Sequence, residues 1–170
     1  YRLMSRKGVT PSIARAEIRR NPTLIGAMLL RRGLADALVA GPSGQYTQQL
    51  KPIADVIGLS SNARLFASLT VLMLPKRTLF ITDPYVNDNP DAEDIAAITL
   101  LAAAEVRRFG LTPRVALLSH SSFGSAPCAS STKMRRAREI LAEIAPDLEA
   151  DGEMKADEAL VDDIRMRAHP

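Results

Sequence analysis

The 170-residue sequence predicts an α/β fold, a three-layer α/β/α arrangement around a mostly parallel sheet. One observation behind this prediction is that short apolar runs alternate with longer segments of helical spacing, the rhythm of parallel α/β layers. A second is that the apolar runs are nearly continuous, as in strands covered on both faces. The third is composition: 46% of the residues are hydrophobic and only 4% are aromatic. A core of small and branched side chains suits close packing of helices on a sheet.

Two helices are predicted near the start of the chain, each with a capping residue followed by proline. Thr10 precedes Pro11, and Asn21 precedes Pro22. An oxygen-bearing side chain at the cap and a proline at the first helical position are both typical of helix starts. Gly33 is expected to adopt the left-handed conformation that ends the second helix.

The middle of the chain is predicted to contain three strands and a helix. A short apolar strand is expected over 36–41, followed by a loop and a helix within 42–58, with Pro52 near the helix start or at a kink. Two further apolar runs, 64–75 and 78–83, are predicted to be strands joined by a tight Pro-Lys-Arg connection. Their near-continuous hydrophobicity predicts that both faces of these strands are covered.

The strongest helical pattern begins at Asn89, which is the predicted cap, with Pro90 at the first position. Acidic residues fill the first turn, where they complement the positive end of the helix, and Gly110 ends it. Apolar residues at helical spacing form the predicted buried stripe: Ile95, Ile98, Ala102, Val106 and Phe109.

Four more elements complete the predicted order. They are a strand over 114–119, a helix over 131–144, a short strand and turn over 148–153, and a last helix over 156–167. The polar linker 58–63 is the best candidate for a domain boundary.

Charge and composition argue against several classes of partner. The net charge is only +3, and the arginine pairs 19–20, 31–32 and 107–108 fall late in predicted helices, where cations are favoured. Without tryptophan or a basic stripe, no nucleic-acid partner is expected. The longest apolar stretch, 95–104, is too short to span a bilayer, so no membrane partner is expected. A single cysteine, Cys128, fits a reducing compartment and a cytoplasmic location.

Three polar loops follow predicted strands, at 40–47, 119–125 and 150–153. Ligands of open α/β sheets bind outside the carboxyl ends of strands, often against helix N-termini. The first two loops are rich in glycine and serine, which let backbone N–H groups and hydroxyls approach a phosphate or acyl phosphate closely. An ordinary polar turn is the alternative for each loop, and the residues alone leave both interpretations open.

Several catalytic and metal-binding motifs are missing. The glycines follow neither the GxGxxG nor the Walker spacing, and the GxSxG nucleophile elbow is absent. His120 and Ser122 could pair on an extended backbone, but no orienting carboxylate can be identified for them. The histidines and the cysteine have no zinc spacing, and helix capping explains the acidic run 87–94 better than a metal loop, so no metal site is expected. Structural hydrogen bonding is the favoured role of three other carboxylates, Asp83, Asp151 and Glu153.

Four segments carry a resemblance to a known family: "NPTLIGAMLLRRGLADALVAG", "LPKRTLFITDPYVNDNP", "VALLSHSSFGS" and "APDLEADGEMKADEAL". In this order they resemble the phosphotransacetylase family, the phosphate acetyl/butyryltransferases. More closely, they look like the phosphotransacetylase-like C-terminal domain of the large bacterial NADP-dependent malic enzymes. The resemblance covers essentially the whole chain, and "SHSSFGS" and "GQYTQQL" look like the malic-enzyme versions of their loops.

The resemblance implies two α/β/α subdomains, with a cleft between them that takes acetyl phosphate and coenzyme A. Residues 1–58 would be the end of the first subdomain and 59–170 most of the second, so the chain is expected to be a partial domain. The family's catalytic serine, arginine and aspartate would lie outside these residues, and no catalytic residue is assigned. Of the two arginines that bind acyl phosphate in the catalytic branch, the resemblance places one at or near Met4, with Arg2 and Arg6 close but shifted, and the other at Lys51. Lysine keeps the positive charge but cannot donate the two parallel hydrogen bonds by which the planar guanidinium of arginine binds a phosphate.

The function implied by the resemblance is a non-catalytic regulatory and oligomerisation domain that senses acetyl-CoA. Its host would be a malic enzyme that converts malate to pyruvate with NADP and Mg or Mn held elsewhere. The expected partners are an acyl-CoA effector, the malic-enzyme region of the same chain and further copies of the protein, with no cofactor in these residues. The alternatives are a phosphate acetyltransferase and a purely structural dimerisation domain. The expected ligand-binding residues are Ser43, Gly44, Gln45, Tyr46, Thr47, Lys51, Ser121, Ser122, Gly124 and Ser125.

Overall fold

The structure is a computed structural model that describes residues 1–41 and 44–169. The chain divides into two compact units, Tyr1–Asn62 and the part from Ala63 onward. The boundary predicted after residue 58 lies close to this division. The assignment of the two parts to the two subdomains of a larger family fold stays a prediction.

The described residues of the first unit form a short 3-10 turn, Ser5–Lys7, and three α-helices. The helices are α1 (Pro11–Arg20), α2 (Pro22–Arg31) and α3 (Tyr46–Val56). Both predicted caps are confirmed. The Thr10 hydroxyl accepts a hydrogen bond from the Ile13 N–H at 3.3 Å, and the Asn21 side-chain oxygen accepts one from the Leu24 N–H at 3.0 Å.

The strand predicted over 36–41 is not formed. An extended segment becomes a strand only when a neighbour satisfies its backbone groups, and the described part of the first unit contains no other strand. Val39, within the segment, is 99% exposed. The helix stop at Gly33 is confirmed by its φ of 68°, and Pro52 lies buried inside α3 rather than at its start.

The described part of the second unit contains four strands and four helices. In chain order they are β1 (Thr70–Leu74), β2 (Arg77–Ile81), α4 (Ala92–Arg108), β3 (Arg114–Leu118), α5 (Ala129–Ile144), β4 (Glu149–Met154), α6 (Ala156–Leu160) and α7 (Asp162–Ala168). The α/β class predicted from the sequence is thereby confirmed.

The strands form two small sheets where the sequence predicts a mostly parallel one. β1 and β2 are antiparallel, with Leu74 opposite Arg77, whereas β3 and β4 are parallel, with Arg114 opposite Glu149. The difference follows from the connections. A two-residue turn can join only antiparallel strands, while α5 provides the crossover that a parallel pair requires.

The β1–β2 hairpin is more exposed than its hydrophobic sequence predicts. Leu72 is 39% exposed, Met73 85% and Leu74 44%, although coverage of both faces is the sequence-based expectation for this run. A two-stranded hairpin has no further strands beside it, so its end remains open to solvent in this chain.

The core of the second unit lies where α4 and α5 pack with β3. Ile95, Ile98 and Val106 are buried as predicted, but Phe109 is 61% exposed because α4 ends before it. The core also includes Ala96, Ala103, Leu117, Ala137 and Leu141. No helix among the described residues is both long and apolar enough to cross a membrane.

Two helix boundaries differ from the prediction. The cap of α4 is Asp91, whose carboxylate accepts a hydrogen bond from the Asp94 N–H at 2.7 Å, so the helix begins two residues after the predicted Asn89–Pro90 start. The helix predicted over 156–167 is interrupted by the extended backbone of Val161, which separates α6 from α7.

Candidate functional site

The loop that follows β3, residues 119–125, lies between the carboxyl end of that strand and the start of α5. Two successive residues in it have positive φ angles, 46° at Phe123 and 90° at Gly124. Such a conformation is ordinary for glycine but costly for phenylalanine, so other contacts must hold the loop in this shape.

Backbone hydrogen bonds fasten this loop to β4. The Ser119 N–H donates to the Met154 carbonyl at 2.9 Å, and the Phe123 N–H donates to the Glu153 carbonyl at 2.8 Å. In the opposite direction, the Lys155 N–H donates to the Ser122 hydroxyl oxygen at 3.3 Å. The loop therefore continues the association of β3 with β4 beyond the last paired residues.

The carboxylate of Glu153 lies underneath the loop and is fully buried. Its Oε1 accepts hydrogen bonds from the Ser121 hydroxyl at 3.1 Å and from the Gly124 N–H at 2.7 Å. Its Oε2 lies 3.1 Å from the Nε of Arg135, in an orientation that makes an ion pair without a well-aligned hydrogen bond. Burial by itself would raise the pKa of Glu153, but the donors from Gly124 and Ser121 and the charge of Arg135 lower it.

The serines of the loop are part of its internal structure. Ser121 is fully buried and Ser122 is 7% exposed. The Ser121 hydroxyl oxygen also accepts from the Ala126 N–H at 3.0 Å, and the Ser125 hydroxyl oxygen accepts from the Ser122 N–H at 3.0 Å. In this conformation the hydroxyl groups of Ser121 and Ser125 and the backbone of Ser122 shape the loop. Ligand contact by any predicted residue stays a prediction.

A second side of the loop contacts the last helices. The rings of Phe123 and His169 meet edge to face, with centroids 4.7 Å apart, and the Nε2 of His169 lies 3.3 Å from the Oε2 of Glu158. Glu158 is buried, and its pKa is lowered by a hydrogen bond from Ser122 and by His169 and Lys155. These contacts cover the loop on the side of α6 and α7.

Cys128 lies at the exposed edge of the site, as the cap of α5. Its Sγ lies 3.1 Å from the hydroxyl oxygen of Ser130 and 3.6 Å from the Nε2 of His120. The hydrogen bond with Ser130 and those from Ser131 lower the pKa of the thiol to about 6. His120 thus contacts a thiol rather than Ser122, the partner considered from the sequence.

Neither Arg135 nor Cys128 is among the site residues expected from the sequence. The position of Cys128 directly before α5 is a local signal, since groups at a helix N-terminus interact with its free N–H groups. Arg135 gives no such signal, because its role depends on a carboxylate far away in the sequence. No group of three or more His, Cys, Asp or Glu side chains suited to a metal ion is found in the described residues.

The second predicted loop, 40–47, belongs to the first unit. Ser43 lies outside the described residues. Gly44 has a φ of 91°, Gln45 is the cap of α3, and Tyr46 and Thr47 open that helix, all on the exposed surface. Whether this loop and 119–125 serve the same ligand stays a prediction.

A groove of about 1090 Å³ in the first unit is lined by Met4 and Lys51, at or near which the resemblance places the two acyl-phosphate arginines, and also by Arg2, Lys7 and Arg32. The Nζ of Lys51 lies 2.8 Å from a carboxylate oxygen of Asp55, and Lys7 reaches the other oxygen at 3.4 Å. The hydrogen bond with Lys51 lowers the pKa of Asp55 despite the opposing effect of burial. Lys51 and Lys7 thus share a single carboxylate, that of Asp55, inside the groove.

A smaller cavity of about 440 Å³ lies in the second unit between β2, α4 and β3. Its walls are mainly apolar, and Asp83, Asn87, Asp88 and Lys133 are among its polar lining residues. The Asp83 carboxylate accepts hydrogen bonds from the backbone N–H groups of Ser68, Val86 and Asn87 at 2.9, 3.2 and 2.9 Å, and from the side chains of Ser68 and Asn87. This confirms the structural role that the sequence favours for Asp83.

The fold and the site together define an α/β protein with a small-residue loop at the carboxyl end of a parallel strand, the usual position of a ligand site in this class. A family model described as phosphate acetyl/butaryl transferase matches residues 1–170. The chain belongs to that family.

Similar proteins include two malic enzymes and one solved phosphotransacetylase. The chain is 49% identical to the NADP-dependent malic enzyme of Escherichia coli K12 over 97% of its length, and 46% identical to the NAD-dependent malic enzyme of Rhizobium meliloti over 100%. It spans 22% of the length of each. A phosphotransacetylase from Streptococcus pyogenes superposes with a TM-score of 0.84 at 26% identity, covering 99% of this chain and 52% of that one.

Proposed function

We propose that the protein is a non-catalytic domain that senses acetyl-CoA and helps to assemble an NADP-dependent malic enzyme in the cytoplasm. The host would oxidatively decarboxylate malate to pyruvate, with NADP and a divalent metal held by a region outside these residues. The proposal is supported by the similarity to malic enzymes, which extends over nearly the whole chain. The chain corresponds to about a fifth of each of those proteins.

The observation that carries the non-catalytic part of the proposal is the ion pair between Lys51 and Asp55. An acyl-phosphate substrate needs uncompensated positive charge, best supplied as the planar fork of arginine. Lys51 instead has an anion 2.8 Å away, and the other position, Met4, has no charge. The groove is also lined by Arg2, Lys7 and Arg32, so the proposal rests on the absence of an arginine fork at these two positions and not on a lack of positive charge.

The loop 119–125 and the start of α5 support the choice of an acyl-CoA as ligand. The exposed residues at this end of β3 combine small polar groups, such as Ser125 and Ser130, with the apolar ring of Phe123. Such a mixture suits a ligand that has both polar amide and phosphate groups and an apolar acyl chain.

The test is calorimetric titration of acetyl-CoA into the full-length protein, which would contain both these residues and the proposed malic-enzyme region. Coenzyme A, which lacks the acetyl group, is the matched ligand. We expect saturable binding of acetyl-CoA, and a change in the rate of malate oxidation measured by NADPH absorbance at the same ligand concentrations. A folded protein that does not bind acetyl-CoA would contradict the proposal.

The family description favours one alternative function, acetyl transfer between coenzyme A and phosphate. It is tested by incubating the intact protein with acetyl-CoA and phosphate and measuring release of free thiol. We expect no thiol release above that of a control without protein. Phosphate-dependent release would replace the regulatory proposal with an enzymatic one.

The proposed role in oligomer assembly is supported by the exposed end of the β1–β2 hairpin. Its apolar side chains, Met73 above all, are costly to leave in water and would be covered by a second copy of the chain. Sedimentation velocity of Met73→Lys should show a smaller assembly than the wild type. Met166→Lys, at a position that is 62% exposed on α7, is the control and should leave the assembly unchanged. Assembly without any effect of acetyl-CoA would favour the purely structural alternative.

A further inference from the structure

Glu153 lies at an irregularity in the pairing of β3 with β4. The proposed function gives this residue no role. Leu117 pairs with Gly152 and Leu118 pairs with Met154, so the register passes over Glu153. A bulge of this kind changes the direction in which the extra side chain points. Here the carboxylate points into the protein, beneath the loop 119–125, where it is completely shielded from solvent.

We propose that Glu153 is a positioning residue, whose buried carboxylate, balanced by Arg135, holds the loop 119–125 in the conformation that binds the acyl-CoA ligand. This inference rests on the proposed function for the identity of the ligand. The effect of Glu153 on the loop itself does not depend on that identity, because it follows from contacts within the protein.

The three groups that face the carboxylate are all donors. Ser121 and Gly124 donate to Oε1 at 3.1 and 2.7 Å, and the Nε of Arg135 lies 3.1 Å from Oε2. A carboxylate can accept from all of them, whereas a glutamine must direct an N–H₂ group at one of them. The site therefore requires the charged residue, and a buried charge is tolerated only because it is paired.

The conformation that Glu153 holds is one that the loop would not adopt unaided. Phe123 has a φ of 46°, a region that is unfavourable for a residue with a Cβ atom. The backbone carbonyl of Glu153 accepts a hydrogen bond from the Phe123 N–H, and its carboxylate accepts one from the Gly124 N–H. Loss of the carboxylate should let the loop relax while the rest of the unit stays folded.

Arg135 connects the carboxylate with the outer surface of the site. Its side chain is 43% exposed, while its Nε atom is buried beside Glu153. A Cβ atom at Gly124 would lie 3.8 Å from a terminal nitrogen of Arg135, so the guanidinium lies against the loop. The pair thus supports the loop from the side of α5.

The experiment compares Glu153→Gln with the wild type and with Leu141→Ala in the intact protein. Leu141 is a buried core residue of α5 whose apolar side chain cannot hydrogen-bond to the carboxylate, and its truncation is expected to lower the stability of the unit as a whole. Amide hydrogen exchange of residues 121–126 and the dissociation constant of acetyl-CoA are measured at a temperature where all variants are folded.

We expect Glu153→Gln to speed exchange in residues 121–126 about 10- to 100-fold relative to the wild type, the effect of leaving a buried donor unsatisfied. Affinity for acetyl-CoA should fall by a similar factor. Leu141→Ala should raise exchange across the unit without selectivity for the loop. Loop exchange and affinity in Glu153→Gln that match those of Leu141→Ala would overturn the inference.

One further variant keeps the inference testable if Glu153→Gln does not fold. Arg135→Gln changes a residue whose side chain is 43% exposed, and it should accelerate exchange in the loop in the same selective way. If amide hydrogen exchange in the loop is unchanged in Arg135→Gln, the ion pair between Arg135 and Glu153 does not support the loop. If the wild type does not bind acetyl-CoA, the proposed function fails, while the exchange measurement still decides whether Glu153 positions the loop.

Discussion

A Cβ atom at Gly152 would lie 2.6 Å from the carbonyl oxygen of Leu117, so β3 and β4 approach one another too closely for any residue but glycine. Gly152 also has a φ of 132°, which residues with a Cβ atom rarely adopt. This close approach lies directly before Glu153, and it therefore sets the position from which the buried carboxylate reaches the loop 119–125.

We predict that Gly152→Ala destabilises the protein by about 3 kcal/mol or more, because it combines a backbone clash with an unfavourable φ. Gly110→Ala is the matched control: its φ is 74°, but a Cβ atom there would meet nothing within 4 Å. It should cost only about 1 kcal/mol. Urea unfolding of the two variants measures the difference, and equal losses would show that the close approach is unimportant.

Asp83 should make stability sensitive to acid. Burial by itself would raise its pKa, but the hydrogen bonds from Ser68 and Asn87 lower it to about 2. A carboxylate with a lowered pKa stabilises the folded state fully above its ordinary value of 3.8, and this contribution is lost as the pH falls towards about 2. Asp83→Asn should therefore lower stability near neutral pH by about 1–3 kcal/mol.

The measurement for Asp83 is the free energy of unfolding of wild type and variant at a series of pH values. The difference between them should shrink as the pH decreases from about 4 to about 2. Asp88→Asn, an exposed carboxylate in the same segment, serves as the control and should have little effect at any pH. A constant difference for Asp83→Asn across this range would contradict the assignment.

Cys128 should react as a thiolate at neutral pH. Its pKa is lowered to about 6, chiefly by the hydrogen bond with Ser130, and only the thiolate is nucleophilic. The rate of alkylation by iodoacetamide should therefore rise with pH and reach its midpoint near 6. Ser130→Ala should move the midpoint upward, and unfolded protein should show a midpoint of about 8.5. Equal midpoints in folded and unfolded protein would exclude the effect.

Which residue caps α4 can be tested by comparing substitutions at Asp91 and Asn89. Asp91 caps the helix, so Asp91→Ala should lower stability by about 1 kcal/mol. Asn89, which is exposed, instead accepts a hydrogen bond from the half-buried Lys133 at 2.8 Å, and Asn89→Ala should cost at most a few tenths of a kcal/mol, about the effect of an ordinary surface change. Thermal unfolding of the two variants distinguishes the positions, and a larger loss for Asn89→Ala would restore the helix start predicted from the sequence.

The helix starts show how far local sequence carries a prediction. The caps at Thr10 and Asn21 are as predicted, because each depends on a side chain and an N–H group only three residues away. At α4 the same reasoning selects Asn89, whereas the structure places the cap two residues later, at Asp91. Which of them caps the helix depends on how the preceding segment, held by Asp83, approaches it.

In the candidate site, too, some features could be predicted from the local sequence and others could not. Its position after β3 could be predicted, because an apolar run followed by Gly and Ser before a helical pattern is visible in the sequence. That Ser121 and Ser122 are turned inward could not, since their partners Glu153 and Lys155 lie about thirty residues further on.

The sequence by itself determined the α/β class, the order of most helices and strands and the place of the loop 119–125. These features follow from the spacing of apolar residues and from contacts within one helical turn. Only the tertiary structure decided that Glu153 occupies a bulge, that Arg135 balances it, and that the segment 36–41 forms no strand. Each of these depends on which distant segments exclude water from one another, and neither residue type nor spacing specifies such a pairing.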